Sequence, residues 1–353
     1  MSAAHLSPAQ RRWQAFRSNR RGYWSMWIFV GLFSISMVAE LIANDRPIIV
    51  SFEGDWYFPV LKSYPETTFG GELPLAANFT YPHVRSLIEA KGGWMLWPPI
   101  PYRYDTIDYY LEDHAPAPPS ARHWLGTDDG AKDTLARLIY GFRMSVAFGF
   151  AMTVLSATIG ITVGALQGYF GGWVDLVGQR LVEIWSGLPV LFLLIIMGSI
   201  IEPNALWLLL ILVLFNWMFL VGVVRAEFLR ARNFEFVRAA IALGVGHRTV
   251  ILRHVLPNAM VATLTYLPFL LNVAVTILTA LDFLGFGLPL GSPSLGELLA
   301  QGKNNIQAPW LGLSGFVTLA VMLTLLIFTG EAIRDALDPR GLAGESTSAG
   351  LSA

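Results

Sequence analysis

The run LWLLLILVLFNWMFLVGVV, Leu206 to Val224, holds no charged residue and is followed at once by RAEFLRARNFEFVRAAIALGVGHRTVILRHVLP, Arg225 to Pro257. The first stretch is long enough to cross a hydrocarbon core of about 30 Å, which takes roughly 20 apolar helical residues. The second gathers Arg225, Arg230, Arg232, Arg238, Arg248 and Arg253 in one loop. An apolar span ending in a basic loop marks an integral membrane protein whose loop stays in the cytoplasm. Composition agrees, with 54% hydrophobic and 14% charged residues, where soluble chains carry about a quarter charged. Mean hydropathy is +0.52. The net charge of −1 lacks the basic excess that binds nucleic acid. The chain has no cysteine, which removes disulfides and thiolate metal sites.

Outward from this point, further windows run from Tyr23 to Ala43 and begin near Met144, Val174, Ala259 and Leu311. The fold class is therefore an all-α membrane protein of about six transmembrane helices. Arg11, Arg12, Arg17, Arg20 and Arg21 precede the first window and hold the N-terminus in the cytoplasm. That window exceeds the roughly 7 to 15 apolar residues of a cleaved signal peptide and reads as a retained anchor. Alternation then places the tail with Arg334 and Arg340 inside and the Glu202–Ala205 turn outside. The chain divides into a basic N-terminus (1–22), an anchor helix (23–43), an external insertion (44–142), a transmembrane core (143–334) containing the cytoplasmic loop 225–257, and a cytoplasmic tail (335–353). The insertion carries Trp56, Tyr57, Phe58, Trp94, Trp97, Pro98, Pro99 and Pro101. Its run Pro116, Pro118 and Pro119 reads as an extended linker, and the pattern leaves its fold undefined.

Within the basic loop, Asn233 is placed to cap a helix whose residues Phe236, Ala239, Ala240 and Leu243 recur at helical spacing as one stripe. Gly244 ends it, in the left-handed conformation that glycine adopts at a helix C-terminus. A second short helix follows over Arg248–Leu256, and Pro257 opens the next span. Two readings fit the small-residue stripe. It lies on lipid headgroups as an amphipathic helix, or it leaves room for close approach by another protein surface.

The run Arg238-Ala239-Ala240-Ile241-Ala242-Leu243-Gly244, followed by Leu256-Pro257-Asn258, resembles the "EAA" signature of ATP-binding-cassette (ABC) importer permeases. Arg238 stands where the name-giving glutamate would be, and His254 where isoleucine is common. Both variants resemble the dipeptide and oligopeptide branch. The stretch His123-Trp124-Leu125-Gly126-Thr127-Asp128-Asp129, with Lys132-Asp133 and Arg137-Leu138-Ile139-Tyr140-Gly141, is similar to the pre-span motif of that branch's second permease. Lys132 replaces the expected arginine. Gly168-Tyr169-Phe170-Gly171-Gly172-Trp173-Val174-Asp175 also matches. These motifs cover Pro119 to Arg340. The insertion, above all Pro98-Pro99-Ile100-Pro101-Tyr102-Arg103-Tyr104-Asp105, looks like that of Yej-type permeases, associated with oligopeptide and microcin C uptake.

The resemblance implies a MetI-like core of five helices plus the anchor and the periplasmic insertion, in a multi-pass protein of the bacterial inner membrane. It assigns ATPase coupling to Glu235, Arg238, Ala239, Ala240, Gly244, Leu256 and Pro257. The pre-span motif contributes Gly126, Thr127, Asp128, Asp129 and Asp133. Implied partners are two ATPase subunits or one tandem ATPase, a second homologous permease, a periplasmic peptide-binding protein and membrane lipid. For Asp128 and Asp129, a helix N-terminal role competes with substrate contact.

No G-x-x-x-x-G-K-[ST] or His-Glu-x-x-His occurs, so no catalytic residue, metal ligand or resident cofactor is expected, and ATP with magnesium belongs to partner subunits. Ionisable residues are nearly absent from the spans, unlike a proton-coupled carrier, and no inverted repeat is visible. Arg180 and Glu183 are spaced to pair. Asn216 and Asn272 are candidates for interhelical hydrogen bonds, and Pro189 and Pro268 for kinks. A membrane-anchored sensor or assembly scaffold with an external receptor domain is the alternative, and it requires no ATPase.

Overall fold

In a computed structural model, residues 7–201, 204–289 and 291–337 are described. The expected Glu202–Ala205 turn and the tail beyond Leu337 fall wholly or partly outside them. All six apolar windows coincide with helices. Helices α1 (Pro8–Ser18), α2 (Arg20–Met37) and α3 (Ala39–Ile42) lead into the insertion, whose regular elements are β1 (Ile49–Phe52), β2 (Asp55–Tyr57), α4 (Pro82–Ala90) and β3 (Trp94–Leu96). The core follows as α5 (Thr134–Phe170), α6 (Gly172–Ser186), α7 (Val190–Gly198), α8 (Ala205–Asn216) and α9 (Met218–Ala231). The loop contains α10 (Glu235–Ala242) and α11 (His247–Thr249), and the chain continues through α12 (Leu256–Leu264), α13 (Leu267–Phe283), α14 (Leu295–Asn304) and α15 (Pro309–Leu337).

Among the described residues, three helical stretches, α5, α8–α9 and α15, are long and apolar enough to cross a membrane. The pair α6–α7 makes a fourth, bent by 62°. The bend falls at Gly187-Leu188-Pro189, where proline removes a backbone donor. The remaining two windows are interrupted. The anchor window breaks at Val38, between α2 and α3, and the window near Ala259 breaks at Thr265-Tyr266, just before Pro268.

Lipid is as apolar as leucine, so helices in a bilayer associate through close packing rather than water exclusion, and small residues let backbones approach. Gly160, Gly164 and Gly168 line one face of α5, where a Cβ would lie 2.5–2.8 Å from the carbonyl oxygens of Trp217, Val221 and Arg225. The two helices run parallel in direct backbone contact. Elsewhere Phe29, Phe142, Leu271 and Met322 join α2, α5, α13 and α15 in one buried cluster. The amide nitrogen of Asn272 donates to the Leu323 carbonyl at 3.1 Å, an interhelical bond of the expected kind. The Asn216 amide nitrogen, in contrast, is enclosed with no acceptor among the described residues.

The insertion folds around an antiparallel sheet in the order β2-β1-β3. Val50 and Phe52 alternate inward and pack on Phe69, Phe79, Val84 and Ile88, as a strand with one covered face requires. The aromatic motif ties this segment to the bundle. Ile100 pairs with Ala43 and packs beside Ala136 and Tyr140. The Tyr140 hydroxyl donates to the Ala43 carbonyl at 2.9 Å, and Arg143 grips Glu40 bidentately at 2.9 and 3.0 Å. Helix α5 starts at Thr134, inside the stretch assigned to the insertion.

Candidate functional site

At the Phe170 end of the bundle, α10 stands on the loop between α9 and α12. Its C-terminus is a Schellman motif: Val245 N–H donates to the Ala240 carbonyl at 3.1 Å and Gly244 N–H to Ile241 at 2.9 Å. Gly244 has φ of +79°, as expected from its position. The N-terminus differs from expectation. Phe234, not Asn233, occupies the cap position, and no side chain bonds the first turn. Asn233 instead donates to the Leu229 carbonyl at 3.0 Å, because the turn after α9 carries its amide backward.

The buried face of α10 is Val237 and Ala240, packed with Phe228, Ala231, Val250 and Val255. Of the expected stripe, only Ala240 is buried. Phe236 is 46% and Leu243 84% exposed, and Glu235, Arg238 and Ala239 share that open surface. The second loop helix is also different. Residues 247–264 form one helical run through a π-helical stretch, Val250–Val255, so Pro257 lies within it and Leu256 opens α12. Proline offers no N–H to the carbonyl four residues back, which favours a wider turn ahead of it.

The Gly168–Asp175 motif holds this loop from behind. Tyr169 hydroxyl and His247 Nδ1 lie 2.8 Å apart, Arg232 donates to the Tyr169 carbonyl at 3.4 Å, and Arg225 Nη2 donates to Asp175 Oδ2 at 2.6 Å, with its Nε on the other oxygen. Gly171 leaves room for the Arg232 guanidinium. These polar contacts join α5 to α11 and to the end of α9, and α9 to α6, while α10 itself is held by the packing of Val237 and Ala240 with Phe228 and Ala231 of α9. Arg180 and Glu183 form their i,i+3 pair on the exposed side of α6.

The pre-span motif forms a buried polar knot at the opposite, Thr134 end. Asp133 caps α5, accepting from Ala136 N–H at 2.7 Å. The helix-start role expected of Asp128 and Asp129 thus belongs to Asp133. Asp128 accepts from the backbone of Gly130 and Lys132 and pairs with Arg137, both side chains being buried. Arg137 also reaches Glu297 of α14 at 2.8 Å. Asp129 lies at the surface, where desolvation of its carboxylate by surrounding atoms, and then the charge of neighbouring Asp128, raise its carboxyl above the ordinary value. Thr127 accepts from Ala117 N–H, and its carbonyl accepts from the Trp310 indole at 3.2 Å. Gly126, at φ +69°, has no space for a side chain beside Ala117 and Trp310.

His123 bridges this knot to the insertion. Its Nδ1 lies 2.8 Å from Asp133 and its Nε2 3.2 Å from Asp108, with the Tyr102 ring tilted against it at 4.4 Å. Burial disfavours the imidazolium, but the hydrogen bonds and charges of Asp133 and Asp108 more than offset it and hold the group above its ordinary value. Burial and the same Asp108 push Tyr102 up to about 12.

Also at the Thr134 end lies a cavity of about 520 Å³, lined by Leu194, Trp207, Asp282, Phe286, Leu288 and Glu297 among others. Asp282, Glu297 and Trp207 are not evident as site residues in the sequence. The available signal is a carboxylate closing an otherwise uncharged run, Leu267–Leu281, which makes an ionisable group in a span a site by default. Among the described residues no cluster of His, Asp and Glu is placed to hold a metal ion.

A helical membrane bundle with an outward-facing loop helix at one end and a folded segment at the other defines a multi-pass transport subunit. Residues 158–341 match the family described as binding-protein-dependent transport system inner membrane component. The inner membrane ABC transporter permease protein YejE of Escherichia coli is 59% identical over 95% of this chain and 98% of that protein. The peptidoglycan transport system permease protein YejE of Agrobacterium fabrum is 54% identical over 94% and 93%. The oligopeptide transport system permease protein OppC of Mycobacterium tuberculosis is 38% identical over 70% and 85%. A chain of the MetNI methionine ABC transporter superposes with a TM-score of 0.49 at 18% identity, over 57% of this chain and 96% of that one. The chain belongs to the binding-protein-dependent transport system inner membrane components, a family of ABC transporter permeases.

Proposed function

We propose that this chain is one of two permease subunits of an importer that carries peptides across the bacterial inner membrane. A periplasmic binding protein delivers the peptide, and separate ATPase subunits, two or one tandem chain, dock on α10. The observation that carries this reading is the combination at α10: an open face with Phe236, Ala239 and Leu243 beside Glu235 and Arg238, a glycine-capped end, and a back face of Val237 and Ala240 packed with Phe228 and Ala231 of α9. Closure of the ATPases around ATP would push α10, and its packing on α9 would pass that movement into the core helices. In this reading ATP and magnesium are bound by the ATPase subunits.

Peptide is the chemistry shared by the oligopeptide and peptidoglycan systems named among the relatives, and microcin C-like peptides fall within it. The arginines of α1 and the start of α2, with those of the 225–257 loop, support a cytoplasmic position for both termini and α10. The insertion then faces the binding protein.

Purification from mild detergent should bring down ATPase subunits and a second permease, and vesicles containing the assembly should accumulate labelled oligopeptide only with ATP and binding protein. Recovery of the chain without any ATPase would favour a sensor or scaffold.

A further inference from the structure

The cavity at the Thr134 end holds a carboxyl group that has no counterion among the described residues. Asp282, in the last turn of α13, is 9% exposed. The Ser294 hydroxyl donates to one carboxylate oxygen and Leu288 N–H to the other at 2.7 Å. Both donors are neutral, and no Lys, Arg or His among the described residues pairs with Asp282. Glu297 on the same wall differs, being joined to Arg137. A buried carboxylate without a cation is costly, and a cation brought by a ligand relieves that cost.

The rest of the wall says which cation. Every ionisable side chain lining the cavity is acidic, which repels carboxylates and draws cations. Leu194, Phe286 and Leu288 make the remainder largely apolar, as in pockets for small organic ligands rather than hydrated metal ions. Trp207 adds an indole face, which attracts ammonium groups. Its N–H is buried with no acceptor among the described residues.

We infer that this cavity binds a primary ammonium group of a peptide, with Asp282 as counterion and the apolar wall taking the adjoining side chain. The inference rests on the peptide-import reading above. An N-terminal amine and a lysine side chain share the chemistry, and the test separates them.

The assembled transporter in lipid nanodiscs, without ATP or binding protein, is titrated with labelled trialanine amide, its N-acetylated form, and an N-acetylated lysine-alanine-alanine amide. At least one amine-bearing peptide should bind about tenfold or more tightly than the acetylated trialanine, a difference set by one charge interaction. Asp282→Asn, which keeps size and an acceptor for Leu288 N–H, should erase the difference. Phe286→Lys, placing an ammonium at the half-open wall, should erase it independently should Asp282→Asn fail to assemble. Equal binding of all three peptides by the native transporter overturns the inference, as does a preference unchanged in these variants. ATP-driven uptake by the same preparation reports separately: uptake without amine preference retires the site and keeps the importer, whereas amine preference without uptake keeps the site and retires peptide import.

Discussion

Replacing Gly244 by aspartate separates coupling from folding. The residue sits at φ +79°, and a Cβ built there meets nothing within 4 Å. The cost is therefore backbone strain alone, roughly 1–2 kcal/mol for an L-residue in the left-handed region. A carboxylate at the C-terminal end of α10 adds about 0.3–1 kcal/mol through the helix dipole. That total, about 1.3–3 kcal/mol, is small beside the roughly 5–15 kcal/mol that holds a domain together, yet it shifts a local equilibrium by about 10- to 150-fold. Gly244→Asp should therefore reach the membrane at native level while peptide uptake falls at least severalfold. Gly244→Asn, better tolerated in this conformation, should fall less. The assay is ATP-dependent uptake of labelled peptide, with immunoblots of the membrane fraction. Native uptake by Gly244→Asp would refute the coupling role, and its loss from the membrane would refute the claim that the strain stays local.

Gly164→Ala forces a methyl group against the Val221 carbonyl and Val224 Cβ at 2.8–2.9 Å and should cost roughly 1–3 kcal/mol, seen as a lower unfolding temperature in detergent; Gly222→Ala, in open space, should be nearly silent. Arg137→Met strands the buried Asp128 and should cost roughly 3–5 kcal/mol, whereas adding Asp128→Asn to it should recover part of the loss in the same assay. The His123 bridge should depend on pH. Its folded-state pKa is raised above the ordinary 6.5, so its contribution is complete below that value and is lost as pH rises through the folded-state value. Hydrogen exchange in the 98–133 segment should accelerate on the alkaline side, and His123→Gln should flatten that dependence.

The apolar windows were legible because a bilayer imposes length and composition on every span. Gly244 was legible because a glycine after an apolar helical stretch has one main use. The face of α10 was not. Ala239 and Ala240 are adjacent, so the spacing is equally compatible with a face through Phe236 and one through Val237, and only contact with Phe228 of α9 decides it. For Asp128 the sequence leaves a helix start and substrate contact both open, for a similar reason. Its partner Arg137 is near in sequence, but the Glu297 that completes the set comes from another helix. Asp282 gains its meaning only when the 285–294 turn folds back to supply Leu288 and Ser294. The insertion remained undefined because its short strands carry too few residues to establish a period.

The central claim, that an ATPase subunit docks on α10, is tested most directly by cross-linking. The chain has no cysteine, so Leu243→Cys provides a unique thiol on the most exposed apolar residue of the loop. A thiol-linked photoreactive probe there should trap an ATPase subunit, while the same probe at Leu61→Cys, which is 83% exposed on the insertion, should not. Leu243→Cys that traps no ATPase, or that reacts in intact cells with a membrane-impermeant reagent from outside, would contradict the account.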